Sequence, residues 1–296
     1  MFTLKNALLK ISVHPVGVEL RKITSVKNAK EFMWNGNPDI WSGHAPNLFP
    51  IVGALKDDEY LHETDIYKLS KHGFVRNNAD FVLADKNNDQ LRFTLKYSKE
   101  TLLNYPFKFE YSVCYELLKN TIKITYEVEN VDDKTIYFCI GGHPAFKCPM
   151  YPDENYDDYF LKFEHPETSK THLLNINNGL FNSKTEPVFK SPTAITLNYH
   201  LFDKDALVFK DLKSRKVTLE SKKHGEILSV KYKDFPFLGI WAKPNANFVC
   251  IEPWQGLADS ENSNQVLKDK EGIVALEKHK TYSASYTIEI HETHLV

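Results

Sequence analysis

Residues 108–130 read KFEYSVCYELLKNTIKITYEVEN. In the second half Ile122, Ile124, Tyr126 and Val128 alternate with Lys, Thr and Glu, the period-two pattern of a strand with one buried face. The first half is equally rich in aromatic and β-branched residues. LKN at 118–120 lies between them as a hairpin turn. The same signature recurs on both sides. LKISV, GVELRKITSV and QLRFTLKYS precede this hairpin, and DKTIYFCI, KVTLES, EILSVKY, NFVCIEP and SASYTIEI follow it. KNND at 86–89 and NVDDK at 130–134 read as further hairpin turns. Helical candidates are short, NSNQVLK at 262–268 being one, and MYPDENYDD at 150–158 reads as a long loop. Strands of one style on both sides of that loop, with no internal repeat, predict an all-β fold. We expect one large antiparallel β-sandwich domain spanning 1–296.

The 296 residues suffice for a large core, and 42% hydrophobic with 26% charged residues is ordinary globular composition. A formal charge of -2 with intermixed signs gives no global field toward nucleic acid or an anionic membrane. No run approaches the ~18 apolar residues of a membrane span, and the lysine-interrupted N-terminus MFTLKNALLK does not read as a signal peptide. Cys114, Cys139, Cys148 and Cys250 form no C-x-x-C pair, which predicts reduced thiols in a cytoplasmic protein.

Phosphate-binding glycine loops and H-E-x-x-H are absent. HETH at 291–294 ends a strand pattern and reads as a solvated tail rather than a metal site. Three stretches place an ionisable group among residues of special backbone: KHGFVRN at 71–77, IGGHPAFKCP at 140–149 and VCIEPWQGLAD at 249–259. His72 and His143 can act as acid or base near neutral pH. Glu252, at the end of an apolar strand, is expected to carry a pKa raised by desolvation. Gly141 and Gly142 are expected to end a strand with little bulk, and Pro144 to hold His143 extended.

With EFMWNGNPDIWSGHAPNLFPIVG at 31–53 and LFDKDALVFKDL at 201–212, these motifs run in order over nearly the whole chain. The sequence resembles the aldose 1-epimerase (galactose mutarotase-like) superfamily, in its LacX-like branch. The resemblance implies a mutarotase-type sandwich that binds a small-molecule aldose in an open cleft and uses neither metal nor organic cofactor. It implies Glu252 as catalytic base, a protonated His143 as acid and His72 as the second active-site histidine. Among substrate-binding residues it implies Asp205 or its neighbour Asp203, which share a face if the segment is a strand, together with Arg76 and Asn47. Trp254, Trp241 and Phe146 are candidates for stacking on a sugar.

Departures accompany the match. Leu48 and Ser42 stand where relatives carry an arginine, and Gly239 stands near the place of a glutamine. A hexose-6-phosphate epimerase, or a carbohydrate-binding protein without catalysis, is the alternative. A glycoside hydrolase built on Glu252 and Asp205 leaves His143 without a role. A monomer or weak homodimer, with no nucleic-acid or membrane partner, is expected.

Overall fold

A computed structural model describes residues 1–296. The opening stretch forms the expected hairpin, Phe109–Leu118 against Thr121–Asn130, in antiparallel register from Leu118↔Thr121 to Phe109↔Asn130. Its turn is closed by Lys119 at φ 54°. Phe109, Tyr111, Val113 and Tyr115 are buried on one strand, and Ile122, Ile124, Tyr126 and Val128 on the other. The alternation in sequence is therefore the inner face of a sheet.

This hairpin lies inside a nine-stranded antiparallel sheet. The order across it is Ala194–Thr196, Tyr159–Phe163, Lys216–Ser221, Gly225–Lys231, Thr281–Ile290, the hairpin itself, Gln90–Lys96 and Val82–Lys86. A second, eight-stranded sheet runs Phe181–Pro187, Lys170–Leu174, Leu207–Phe209, Phe237–Trp241, Phe248–Gln255, Ile140–Gly142 and Asn47–Leu48, with Ala145–Lys147 also paired to Phe248–Gln255. The inner faces meet. Tyr126 Oη on the first sheet donates to Asn47 Oδ1 on the second at 2.8 Å, and the Phe49 ring stacks on Tyr111 at 4.7 Å. Three smaller sheets and one short α-helix, Lys99–Asn104, complete the chain.

Three local expectations change, and one gains a physical reason. NVDDK at 130–134 is no hairpin turn: the chain leaves the large sheet there, and Ile136–Phe138 pairs with Val274–Leu276. Asn130 holds that crossing, donating from its amide to Lys134 O and Leu276 O. NSNQVLK yields only a 3₁₀ turn at Leu267–Asp269, because Ser263 and Asn264 accept from the backbone N–H of Gln265 and Val266 instead of letting a helix form. Gly141 and Gly142 do close a strand, Ile140–Gly142, and the small size of Gly142 has a packing reason. A Cβ on Gly142 would stand 2.7 Å from Tyr286 Oη, so this glycine serves the approach of the two sheets rather than that of a ligand. HETH forms a 3₁₀ turn, and its His294 is buried against Tyr151 rather than solvated.

Candidate active site

The strand Phe248–Gln255 is buried on both faces, so its period of two divides its work. Val249 and Ile251 join the core, while Glu252 and Trp254 line a cavity of about 410 Å³ on the outer face of the eight-stranded sheet. The register Gly141↔Trp254 on one side and Ala145↔Cys250 on the other brackets His143 and Glu252. It places the two side chains opposite each other, with His143 Nε2 3.1 Å from Glu252 Oε2. His143 N–H donates to Pro46 O, and the indole of Trp41 stacks on the imidazole at 5.1 Å. Trp241 meets the same ring edge-on at 5.7 Å.

His72 arrives from a loop, in the left-handed region at φ 70°. That conformation strains a residue with a side chain, and two bonds to Gly53 hold it. His72 N–H donates to Gly53 O at 2.9 Å, and Gly53 N–H donates to His72 Nδ1 at 3.1 Å. A ring nitrogen that accepts from a backbone N–H carries no proton itself. His72 is thereby fixed as the tautomer with its proton on Nε2. Its ring lies 5.7 Å from that of His143.

Burial sets the electrostatics. Desolvation pushes Glu252 well above the usual carboxylate range, the charge of Asp205 pushes in the same direction, and Lys71 opposes both. Desolvation lowers His143 to about 3, with help from Arg76 and Lys71. His72 falls well below its ordinary value for the same first reason, with the neighbouring His143 second. Burial disfavours the charged form of both members, pushing the carboxyl toward holding a proton and the imidazole toward losing one. It thus works against the imidazolium that the sequence-based assignment needs. Glu252 Oε2, His143 Nδ1 and Trp254 Nε1 are buried without a hydrogen-bond partner. Orphaned buried polar atoms are costly, and converging on one cavity they call for a polar ligand.

Other candidates fall on both sides of the cavity wall. Asp203 and Asp205 line it, but on a turn preceding Leu207–Phe209 rather than on a strand, with Asp205 at φ 75°. Their supposed common strand face does not exist. Asp203 is paired with His200 Nδ1 at 3.0 Å on the exposed side, whereas Asp205 is the aspartate whose charge acts on Glu252. Arg76 lines the cavity with no ion pair within 4.0 Å, which excludes the surface salt bridge as its role.

Asn47 is corrected. It is 1% exposed, donates to Gly17 O and Val18 O and accepts from Tyr126, so no polar atom is left for a sugar. Phe146 is a core residue, not a stacking platform. Gly239 has a packing reason: a Cβ there would stand 2.6 Å from the Trp254 indole, which fills the space a glutamine would need. Trp41, Lys71, Lys243 and the apolar Leu174, Ile176 and Phe202 also line the cavity and escaped the sequence analysis. Lys71 could have been found, being next to His72. The others carry no local signal.

The comparisons with known proteins point to one family. The sequence model described as aldose 1-epimerase matches residues 1–275. The plasmid-encoded protein LacX of Lactococcus lactis subsp. lactis is 35% identical over 295 residues, covering 97% of this chain and 98% of LacX. A galactose mutarotase related enzyme from Lactobacillus acidophilus superposes with a TM-score of 0.92 at 36% identity, over 98% of this chain and 97% of its own. A galactose mutarotase-like protein from Lactobacillus casei gives 0.91 at 29% identity, over 98% of this chain and 100% of its own. The sandwich, the ordered motifs and these matches together place the chain in the aldose 1-epimerase family.

Proposed function

We propose that the protein interconverts the α and β anomers of an aldohexose by general acid–base catalysis in the Glu252–His143 cavity. The observation that carries this is the buried 3.1 Å contact between a carboxylate and an imidazole, each with an atom lacking a partner. Opening a cyclic hemiacetal takes a proton from the C1 hydroxyl, breaks the C1–O5 bond and puts a proton on O5. One proton is therefore removed and one delivered, which is what a pair holding a single dissociable proton can do. Hydrogen bonds from the C1 hydroxyl to Glu252 favour its charged form and draw the resting proton across to His143. Glu252 then takes the C1 proton while His143 gives its own to O5. After rotation about C1–C2 the steps run backward and the pair regains its resting state. His72 Nε2–H is a fixed donor toward a sugar oxygen. Trp254, Trp41 and Trp241 give the pyranose an apolar wall.

A second reading has one observation in its favour. Lys71, Arg76 and Lys243 line the cavity, and none is in an ion pair. Three unpaired cations suit a sugar phosphate, so a hexose 6-phosphate is the alternative substrate.

Anomer exchange followed by NMR or polarimetry over galactose, glucose and their 6-phosphates tests both. Acceleration of at least one hexose is expected, and exchange confined to the phosphates selects the second reading. A protein that binds these sugars but speeds none of them is a binding protein, and the proposal fails.

A further inference from the structure

One thiol stands beside the acid–base pair and has no part in the reaction above. Cys250 and Glu252 are two residues apart on the same strand and so share a face. The pairing Ala145↔Cys250 brings the chain that carries His143 alongside. A ring nitrogen of His143, Cys250 Sγ and a carboxylate oxygen of Glu252 lie within 4.8 Å of one another, and all three residues are buried. No other three such donors in the chain come together this closely.

We propose that His143, Cys250 and Glu252 form a site for one borderline-soft divalent cation, zinc being the type, and that its occupancy shuts the acid–base site. The inhibitory half rests on the proposed function, whereas the binding half does not.

The donor set is mixed N, S and O, the set zinc takes. Bonds of about 2.0–2.3 Å put tetrahedral ligands about 3.3–3.8 Å apart. The His143–Glu252 contact at 3.1 Å already has nearly that spacing, so only the thiol must close in. Glu252 Oε2, the oxygen that faces His143 Nε2, has no hydrogen-bond partner to give up. His143 and Glu252 line the cavity and give an entry path, with Cys250 buried beside them. A thiolate ligand selects zinc or cadmium over magnesium and calcium. Ligation releases whatever protons the ligands hold. Bound to the ion, Glu252 and His143 can neither take a proton from the C1 hydroxyl nor give one to O5. The cation is thus a competitor of the reaction and not its cofactor.

Cobalt(II) is the probe, since a thiolate bound to it gives a charge-transfer band in the near ultraviolet. Reduced, metal-free protein is titrated with cobalt and then with zinc. The expected result is one equivalent bound with that band, displaced by zinc and missing in Cys250→Ser. Zinc should also inhibit anomer exchange in the wild type. In Cys250→Ser its inhibition should weaken by at least the roughly 10–100-fold that loss of an outer-shell partner costs, with the uninhibited rate unchanged. Absence of the band in the wild type overturns the proposal, as does the same band in Cys250→Ser. Should the serine variant not fold, Cys250→Ala takes its place. A wild-type band in a protein that exchanges no hexose leaves the site standing and overturns the proposed function instead.

Discussion

Two buried acid–base pairs have carboxyl groups seven residues apart, at Glu252 and Asp259, and they are built in opposite ways. Asp259 and Lys270 are 4% and 2% exposed and meet at 2.6 Å. Both carboxylate oxygens are used, one by Lys270 Nζ and the other by the N–H of Lys56. Asp259 also donates from its N–H to Ala54 O and accepts at its own O from Phe181 N–H. This pair ties the segment holding Gly53, and through it His72, to the strand that carries Glu252. Glu252 and His143 stand farther apart at 3.1 Å and leave an atom unpartnered on each side. A buried charge pair that is satisfied serves the fold. One left unsatisfied beside a cavity has bonding capacity reserved for something that enters.

The comparison breaks first at Glu252. Glu252→Gln keeps shape and burial but removes the group that exchanges protons. Anomer exchange should fall by about 10²–10⁴-fold or more, with circular dichroism and melting showing an intact fold. Polarimetric rates equal to the wild type would show that the unsatisfied pair is not the reacting one. Lys270→Met should do the reverse. It strands the Asp259 carboxylate in the interior at a cost of about 3–5 kcal/mol, read by urea denaturation. Adding Asp259→Asn should recover much of that loss, because no buried charge then remains.

The pH dependence of stability sharpens the contrast. Glu252 has a folded pKa above its unfolded value of 4.5. Its contribution is therefore fully present below pH 4.5 and declines as pH rises toward the folded pKa. Glu252→Gln removes that decline, so the variant should melt higher than the wild type at pH 8 and the gap should close near pH 4. Each kcal/mol is worth about 2–4 °C in a chain of this size class. An equal gap at both pH values would mean that Glu252 is not held above its usual range. His143 has the opposite sign. Lowered from 6.5 to about 3, it contributes stability above pH 6.5 that is lost as pH falls toward 3.

Much of the fold was legible because its signal is local. Ile122 to Val128 alternate within one strand, and the turn that pairs them with Phe109–Leu118 is adjacent in sequence. The three ionisable stretches were legible one by one, for each sets a titratable residue among Gly and Pro. Their convergence was not, since it depends on the pairing of Ala145 with Cys250, residues far apart in sequence. Asn47 misled for a related reason. A polar residue in an apolar strand has the same local pattern whether its amide faces a ligand or, as here, caps the carbonyls of Gly17 and Val18. Trp41 was hidden altogether, because the stacking on His143 that gives it a role is a tertiary contact.

The smallest effect separates Asp205 from Asp203, which sequence could not do. Both line the cavity, yet Asp203 is about half exposed and paired with His200, an arrangement worth about 0–1 kcal/mol. Asp205 is less exposed, and its charge reaches Glu252. Asp205→Asn loses a charged hydrogen-bond acceptor for sugar hydroxyls, worth about 1.5–3 kcal/mol, so kcat/KM should drop about 10–150-fold. The same change removes a charge that raises the pKa of Glu252, so the alkaline limb of the kcat/KM profile should move to lower pH. Asp203→Asn should leave that limb in place and change kcat/KM little. The limb is the deciding readout, because a merely structural aspartate can lower the rate but cannot shift the titration of Glu252. If Asp203→Asn moved the limb and Asp205→Asn did not, the two roles would have to be exchanged.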